Sequence, residues 1–437
     1  MSDDVDAIII GAGVIGAALA LELTRKGYRT LNVDKLPAPG YGSTSNSCAI
    51  VRASYSTWDG VAMAYEGFGY WHDWTGYLGL GDHDEELARY VNCGTLQIKN
   101  RHDDRWQRVV ALYDDVGVEY EHWDLDTLRS RVPIFSTGSF YPPKRPGDEG
   151  FWDDPDDRII GAIHTPGSGY VNDPQLATRN LATAATAEGA TFRYGVEVVD
   201  VRRTDGRVAG ITLANGEQID APIVVNVAGP HSFVVNRMAG VDDEMNIGTR
   251  ALRHEVHHVP APSSYDYEHD GHHVSDGDAG IYFRPETANH ILVGSEDPDC
   301  DPRIWVEDPD AYDTSVSHDQ WEAQVMRLAR RIPDLPIPSQ PKGLVDLYDV
   351  SDDWIPIYDR SSLDGYYMAI GTSGNQFKNA GVVGYCMAEL IDAVERGHDH
   401  DADPLRIDQR YTDLTLDMGF YSRNREINPN SSFSVNG

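Results

Sequence analysis

The run from Asp6 to Ile10 is short, apolar and β-branched, and it leads into Gly11-Ala12-Gly13-Val14-Ile15-Gly16, so it reads as a buried strand ending in a glycine turn. An Ala/Leu-rich stretch from Ala17 to Lys26 has helical spacing and stops at Gly27. A second strand runs from Arg29 to Val33 and ends at Asp34. Strand, helix and strand in this order predict one half of a parallel α/β sheet. Further on, Val61 to Tyr77 reads as a helix with Trp71 and Trp74 on one face, Asp104 to Val116 reads as an amphipathic helix, and Phe140 to Asp157, rich in Pro, Gly and Asp, reads as a loop.

Leu176 to Glu188 is an alanine-rich helix closed by Gly189. The segments Thr191 to Tyr194, Glu197 to Arg202, Val208 to Leu213 and Ile223 to Val227 alternate like strands, with Asn215-Gly216 as a hairpin turn. Ala251 to Val259, Gly280 to Phe283 and His290 to Gly294 predict a second, largely antiparallel sheet. His318 to Arg331 is helical, Tyr366 to Ile370 is strand and Ala380 to Arg396 is helix. Strands of α/β type at both ends with antiparallel strands between them predict an α/β fold, α+β overall, in which one domain is assembled from separated segments.

The 437 residues, 41% hydrophobic and 24% charged, suit a soluble enzyme of two or three domains. Charge changes the picture: the formal net charge is −34, and lysine occurs only at Lys26, Lys35, Lys99, Lys144, Lys342 and Lys378. Such a surface repels itself in dilute buffer and is screened at about 1 M salt, where the Debye length is ~3 Å. It therefore reads as adapted to a salt-rich cytoplasm. Nucleic acid is excluded as a partner, since a duplex adds its own dense negative charge.

Cys48, Cys93, Cys300 and Cys386 are far apart and form no C-x-x-C pair, which leaves neither a disulfide framework nor a thiolate metal site. The apolar run from Ala7 to Leu23 follows Asp3, Asp4 and Asp6, where a signal peptide would be basic, and no run reaches the ~18 apolar residues of a membrane span. The reading is a cytoplasmic protein. His254, His257 and His258 alternate along a strand, while His272, His273, His398 and His400 show no convergent ligand set, so no metal is expected.

In the glycine motif, Gly11 makes the tight turn, Gly13 admits a pyrophosphate to the backbone and Gly16 lets helix and strand pack closely. Val14 and Ile15 open the helix whose N-terminus faces the phosphates. Asp34, about 20 residues on, stands where an acid accepts ribose hydroxyls. Asn226-Val227-Ala228-Gly229-Pro230 ends a strand in small residues, as close approach of a cofactor requires. Gly371-Thr372-Ser373-Gly374-Asn375-Gln376-Phe377-Lys378 leads from a strand into a helix and can aim N–H groups at a developing anion such as the N1/O2 edge of a reduced flavin.

Together with Gly42-Ser43-Thr44-Ser45 ahead of Ile50-Val51-Arg52, Gly169-Tyr170-Val171 and Glu197-Val198-Val199, these segments resemble the D-amino acid oxidase/sarcosine oxidase superfamily of flavoproteins. The resemblance implies FAD, expected to be non-covalent because Asp346 stands where the sarcosine oxidase branch has its flavin-linking cysteine, in a Rossmann-like domain of glutathione-reductase type built from residues 1–90, 160–245 and 340–437. Residues 91–159 and 246–339 would form a substrate domain with a mainly antiparallel sheet. It places Lys35, Ser43, Thr44, Ser45, Val198, Ala228, Gly229, Gly371, Gly374, Asn375, Gln376, Phe377 and Lys378 at the flavin beside the glycine motif.

By likeness to the sarcosine oxidase branch, Arg52 and Lys378 clamp a substrate carboxylate, and Tyr348 and Phe283 are aromatic walls. Three departures stand out. Asp346 replaces the flavin-linking cysteine, Ile291-Leu292-Val293-Gly294 lacks the oxygen-activating lysine, and Ala49 replaces an arginine. The implied activity is oxidation of an amino acid or N-methyl amino acid by hydride transfer to flavin N5, giving an imine that hydrolyses. A dehydrogenase with another electron acceptor is favoured over an oxidase. The alternatives are a 2-hydroxy acid dehydrogenase and a flavin-binding subunit of a larger assembly.

Overall fold

A computed structural model describes residues 5–81 and 86–437; Asp3 and Asp4 lie outside the described residues. Two sheets carry the fold. The first has six strands in the order Ile357–Arg360, Tyr366–Ile370, Ile223–Asn226, Ala7–Ile10, Thr30–Asp34, Thr191–Tyr194. Its pairings are parallel except for the edge strand Ile357–Arg360.

All four residues of Ala7–Ile10 are buried, because alternate side chains enter two different cores. Ala7 and Ile9 pack with the helices Val14–Arg25, Pro174–Ala187 and Ala380–Glu395. Ile8 and Ile10 pack with the meander Val198–Thr204, Arg207–Leu213, Gln218–Asp220 and the helix Ser232–Ala239.

The second sheet has nine strands. The 12-residue strand Thr249–Pro260 pairs antiparallel with Ile304–Val306, His290–Ser295 and Gly343–Ser351. The sheet continues through Ile281–Glu286, His273–Asp276, Thr95–Lys99, Gly161–Thr165 and Glu121–Trp123, and only the pair His273–Asp276 with Thr95–Lys99 is parallel. The helix His318–Arg331 covers one face through Trp321, Val325 and Leu328. By sheet membership, Gly161–Thr165 and Gly343–Ser351 go with this sheet, across the expected boundaries at 160 and 340.

The helix expected over Val61 to Tyr77 is two helices, Trp58–His72 and Trp74–Leu78, broken at Asp73. The break preserves the expected pairing, since the Trp71 and Trp74 rings stack at 4.5 Å. Among the described residues no helix is long and apolar enough to cross a membrane.

Candidate active site

The carboxyl ends of Ala7–Ile10, Thr30–Asp34 and Ile223–Asn226 open into a cleft of about 700 Å³, at the upper part of the roughly 300–1,000 Å³ range of ligand pockets. Gly11 has φ +119°, and a Cβ there would lie 2.4 Å from the Val227 carbonyl oxygen, so only glycine makes this turn. A Cβ on Gly16 would lie 2.3 Å from the Gly11 oxygen, which is how the helix packs onto the strand. That helix has no acidic residue in its first turn, and its positive end faces the cleft. Thr44 Oγ1 accepts the Val14 N–H at 3.3 Å. The Asp34 carboxylate accepts the N–H groups of Ala12 at 2.7 Å and Leu36 at 2.9 Å, which fixes it at the cleft with lone pairs to spare.

Gly13, Val14, Ile15, Ser43, Val198, Ala228 and Gly229 also line the cleft, as do Gly374, Asn375, Gln376 and Phe377. Asn375 Nδ2 is a buried donor with no partner, the kind of group a bound acceptor satisfies. These features fit a flavin dinucleotide. Two expected residues stand back from the cleft. Ser45 turns its hydroxyl to the Gly42 carbonyl at 3.0 Å, and Gly371 is buried with its N–H on the Asp349 carboxylate at 2.6 Å. Lys35 lines the cleft, but its amine is engaged by Asp310 and by His231 at 2.9 Å.

At the other end of the cleft, Arg52 and Lys378 are 6% and 3% exposed. The Arg52 guanidinium lies over the Tyr55 ring at 5.0 Å and Lys378 Nζ at 4.9 Å. Arg52 donates to the Ser54 carbonyl and hydroxyl and, at 2.7 Å, to the Val435 carbonyl. Lys378 donates to the Asn375 carbonyl at 2.6 Å. Among the described residues neither cation has a carboxylate within ion-pair distance, and burial together with the Arg52 charge pushes the Lys378 pKa well below its usual value. A buried guanidinium beside a buried amine, with no carboxylate at ion-pair distance, makes a site that a bound anion completes.

Tyr348 lines the cleft with its ring against Gly374, where a Cβ would be 2.4 Å from it. His254 stacks on it at 4.1 Å and bonds Asp297 at 3.0 Å. Phe283, expected as a wall, is fully buried on the other face of its strand against Phe135, and the wall residue is its neighbour Tyr282. One residue of register moves a strand side chain to the opposite face.

Ala49 is at the cleft in a left-handed conformation, φ 49°. Asp346 is also at the cleft, bonded by Asn46 at 2.5 Å. Among the described residues, Lys35 and Lys378 are the only lysines that line it. No group of three or more metal-ligating side chains converges among the described residues.

Sequence reasoning missed Tyr55, His273, Ser275, Glu296 and the segment Val435–Asn436, which line the cleft or the cavity beside it. His273 bonds Thr95 Oγ1 at 3.0 Å, and burial plus the charges of Arg52, Lys378 and Arg284 hold it neutral. Tyr55 and Glu296 each had a local signal, the first three residues after Arg52 and the second just beyond a predicted strand. The tail had none.

The chain belongs to the FAD dependent oxidoreductase family, whose model matches residues 6–390, and FAD is the dinucleotide of the cleft. It is similar to a D-amino acid dehydrogenase of Xanthobacter autotrophicus, 27% identical over 52% of this chain and 61% of that one. It is also similar to the sarcosine oxidase subunit beta of Rhodobacter capsulatus, 23% identical over 88% and 84%. The chain spans less than two thirds of the length of the D-amino acid dehydrogenases it matches. Among solved structures, the L-proline dehydrogenase of P. horikoshii shares the fold with a TM-score of 0.77 at 19% identity, covering 98% of this chain and 100% of that one.

Proposed function

We propose that the protein oxidises an amino acid or an N-methyl amino acid and passes the electrons to an acceptor other than oxygen. One observation carries this reading: Arg52 and Lys378 are buried together at the cleft without a counter-ion. A guanidinium fork and a point-charge ammonium hold one carboxylate and fix the adjoining C–H for reaction. The bound FAD supplies the hydride acceptor. Tyr348 and Tyr282 wall the substrate, and neutral His273 adds no third positive charge to compete with the amine.

The imine product leaves and hydrolyses in water. Leu292 and Ala49, at positions where the oxidases of the resembled branch carry cationic residues, support a dehydrogenase. Asp346 at the cleft, in place of a thiol, supports non-covalent flavin. The charge of −34 supports work in a salt-rich cytoplasm.

The match to a sarcosine oxidase subunit over 88% of the chain favours a second reading, in which the same site works inside a larger assembly. The test is anaerobic mixing of the purified yellow protein with amino acids, N-methyl amino acids and 2-hydroxy acids, followed at the visible flavin band. Bleaching by amines, with slow reoxidation in air, supports the proposal. Bleaching by hydroxy acids alone, or by nothing, overturns it.

A further inference from the structure

A second, small cavity of about 70 Å³ adjoins the cleft, and the two share Ser275, Glu296 and Asn436. Glu296 stands at the junction just beyond the strand His290–Ser295 and is 5% exposed. One of its carboxylate oxygens accepts the Ser275 hydroxyl, and among the described residues no cation lies within ion-pair distance of it. Burial drives its pKa up, against the attraction of the more distant Arg105.

Arg105, also on this cavity, is hydrogen-bonded through Nε to Asp103 and is attracted by Glu296 as well. Asp278 is spent on Arg331, Ser139 and the Phe140 N–H. Arg108 lies on the exposed rim and donates to the Asn430 carbonyl. Gln97 lines the same cavity, and its amide oxygen is buried without a partner. The inner cavity thus holds a buried carboxyl with no cation at ion-pair distance among the described residues, together with an unpartnered amide oxygen, a poor environment for an empty site and a good one for a cationic donor.

We propose that this side cavity receives the side chain of the substrate, and that Glu296, positioned by Ser275, recognises a basic terminus, an ammonium or a guanidinium. The substrate class is then basic amino acids, with the α-carboxylate on Arg52 and Lys378 and the side-chain cation on Glu296. This rests on the proposed function.

The experiment is anaerobic flavin reduction of the holoprotein and of its Glu296→Gln form by lysine, ornithine and arginine of either hand, by norleucine, and by glycine, sarcosine and proline. Flavin content and thermal melting serve as folding controls, and Ser275→Ala is a second variant. The expected result is a kcat/KM for lysine roughly 10- to 100-fold above that for norleucine in the parent, the range of a hydrogen bond to a charge. That preference vanishes in Glu296→Gln and falls part-way in Ser275→Ala, read as the ratio of kcat/KM for lysine to that for norleucine within each variant. Equal rates with lysine and norleucine in the parent, or an equal loss on every substrate in Glu296→Gln, overturn the subsite and leave the broader function standing. No reduction by any amine overturns both.

Discussion

Arg52 and Lys378 are held over one aromatic ring, that of Tyr55, at 5.0 Å and 4.9 Å from its centroid, although 326 positions separate them in the chain (378 − 52). Tyr55 in turn donates its hydroxyl to the Asn375 carbonyl at 2.6 Å, the same oxygen that accepts Lys378. The ring therefore ties the segment after the second strand to the turn that carries the lysine.

The lysine predicts a proton linkage. In the free protein burial and the neighbouring guanidinium lower the Lys378 pKa well below 10.5, and a bound carboxylate favours the charged form and raises it again. Binding therefore takes up a proton at any pH above the lowered value and below the raised one. Calorimetry of a carboxylate inhibitor in buffers of different ionisation enthalpy should show uptake, with Kd rising as pH rises through that window. Lys378→Met should abolish it.

Asp349 predicts a stability trend of defined sign. Its buried carboxyl, which accepts the Gly371 N–H, is pushed up to about 7, chiefly by desolvation. The unfolded chain releases that proton near pH ~4, so the folded state binds more protons between the two values and stability falls as pH rises through them. The full difference is on the order of 4 kcal/mol. Asp349→Asn keeps the acceptor and removes the titration. Its melting temperature should match the parent at about pH 4 and below, and exceed it at about pH 8.

Gly11 predicts a separation of cofactor from fold. An alanine there meets the Val227 oxygen at 2.4 Å at φ +119°, a strain of roughly 1–3 kcal/mol. Gly11→Ala should purify with little or no flavin absorbance and melt lower than the parent.

Net charge predicts salt dependence. With −34 charges, raising salt from about 0.1 M to about 1 M shortens the Debye length from ~10 Å to ~3 Å. The melting temperature should climb over that range, and a flat profile would argue against the salt-adapted reading.

Much of this was legible in local pattern. Ala7–Ile10 announces itself as a four-residue apolar run because a parallel strand is buried on both faces, and His318–Arg331 has a one-sided helical stripe that the fold keeps. The glycine motif and Asp34 fall at the expected ends of two strands. The cofactor followed from those residues together with the turn ending at Lys378.

What escaped has long-range causes. Gly343–Ser351 joins the nine-stranded sheet because Thr249–Pro260 is long enough to pair with three strands, and no local pattern states a partner. Tyr282 rather than Phe283 faces the cleft because register, which is set by cross-strand pairing, decides the face. The tail residue Val435 reaches Arg52 through a backbone carbonyl, and backbone atoms leave no trace in side-chain type.

The central claim is that the buried pair Arg52 and Lys378 receives the substrate carboxylate. Its most direct test is the single-turnover rate of anaerobic flavin bleaching by the best amino acid in the parent, in Arg52→Ala, in Lys378→Met and in the double variant, each with full flavin content. Loss of one charged hydrogen-bonding partner lowers kcat/KM roughly 10- to 100-fold. The prediction is a loss of that size or more for each single variant and a larger one for the double, with the unreacted flavin spectrum little changed. Parent-like bleaching in the double variant would contradict the account.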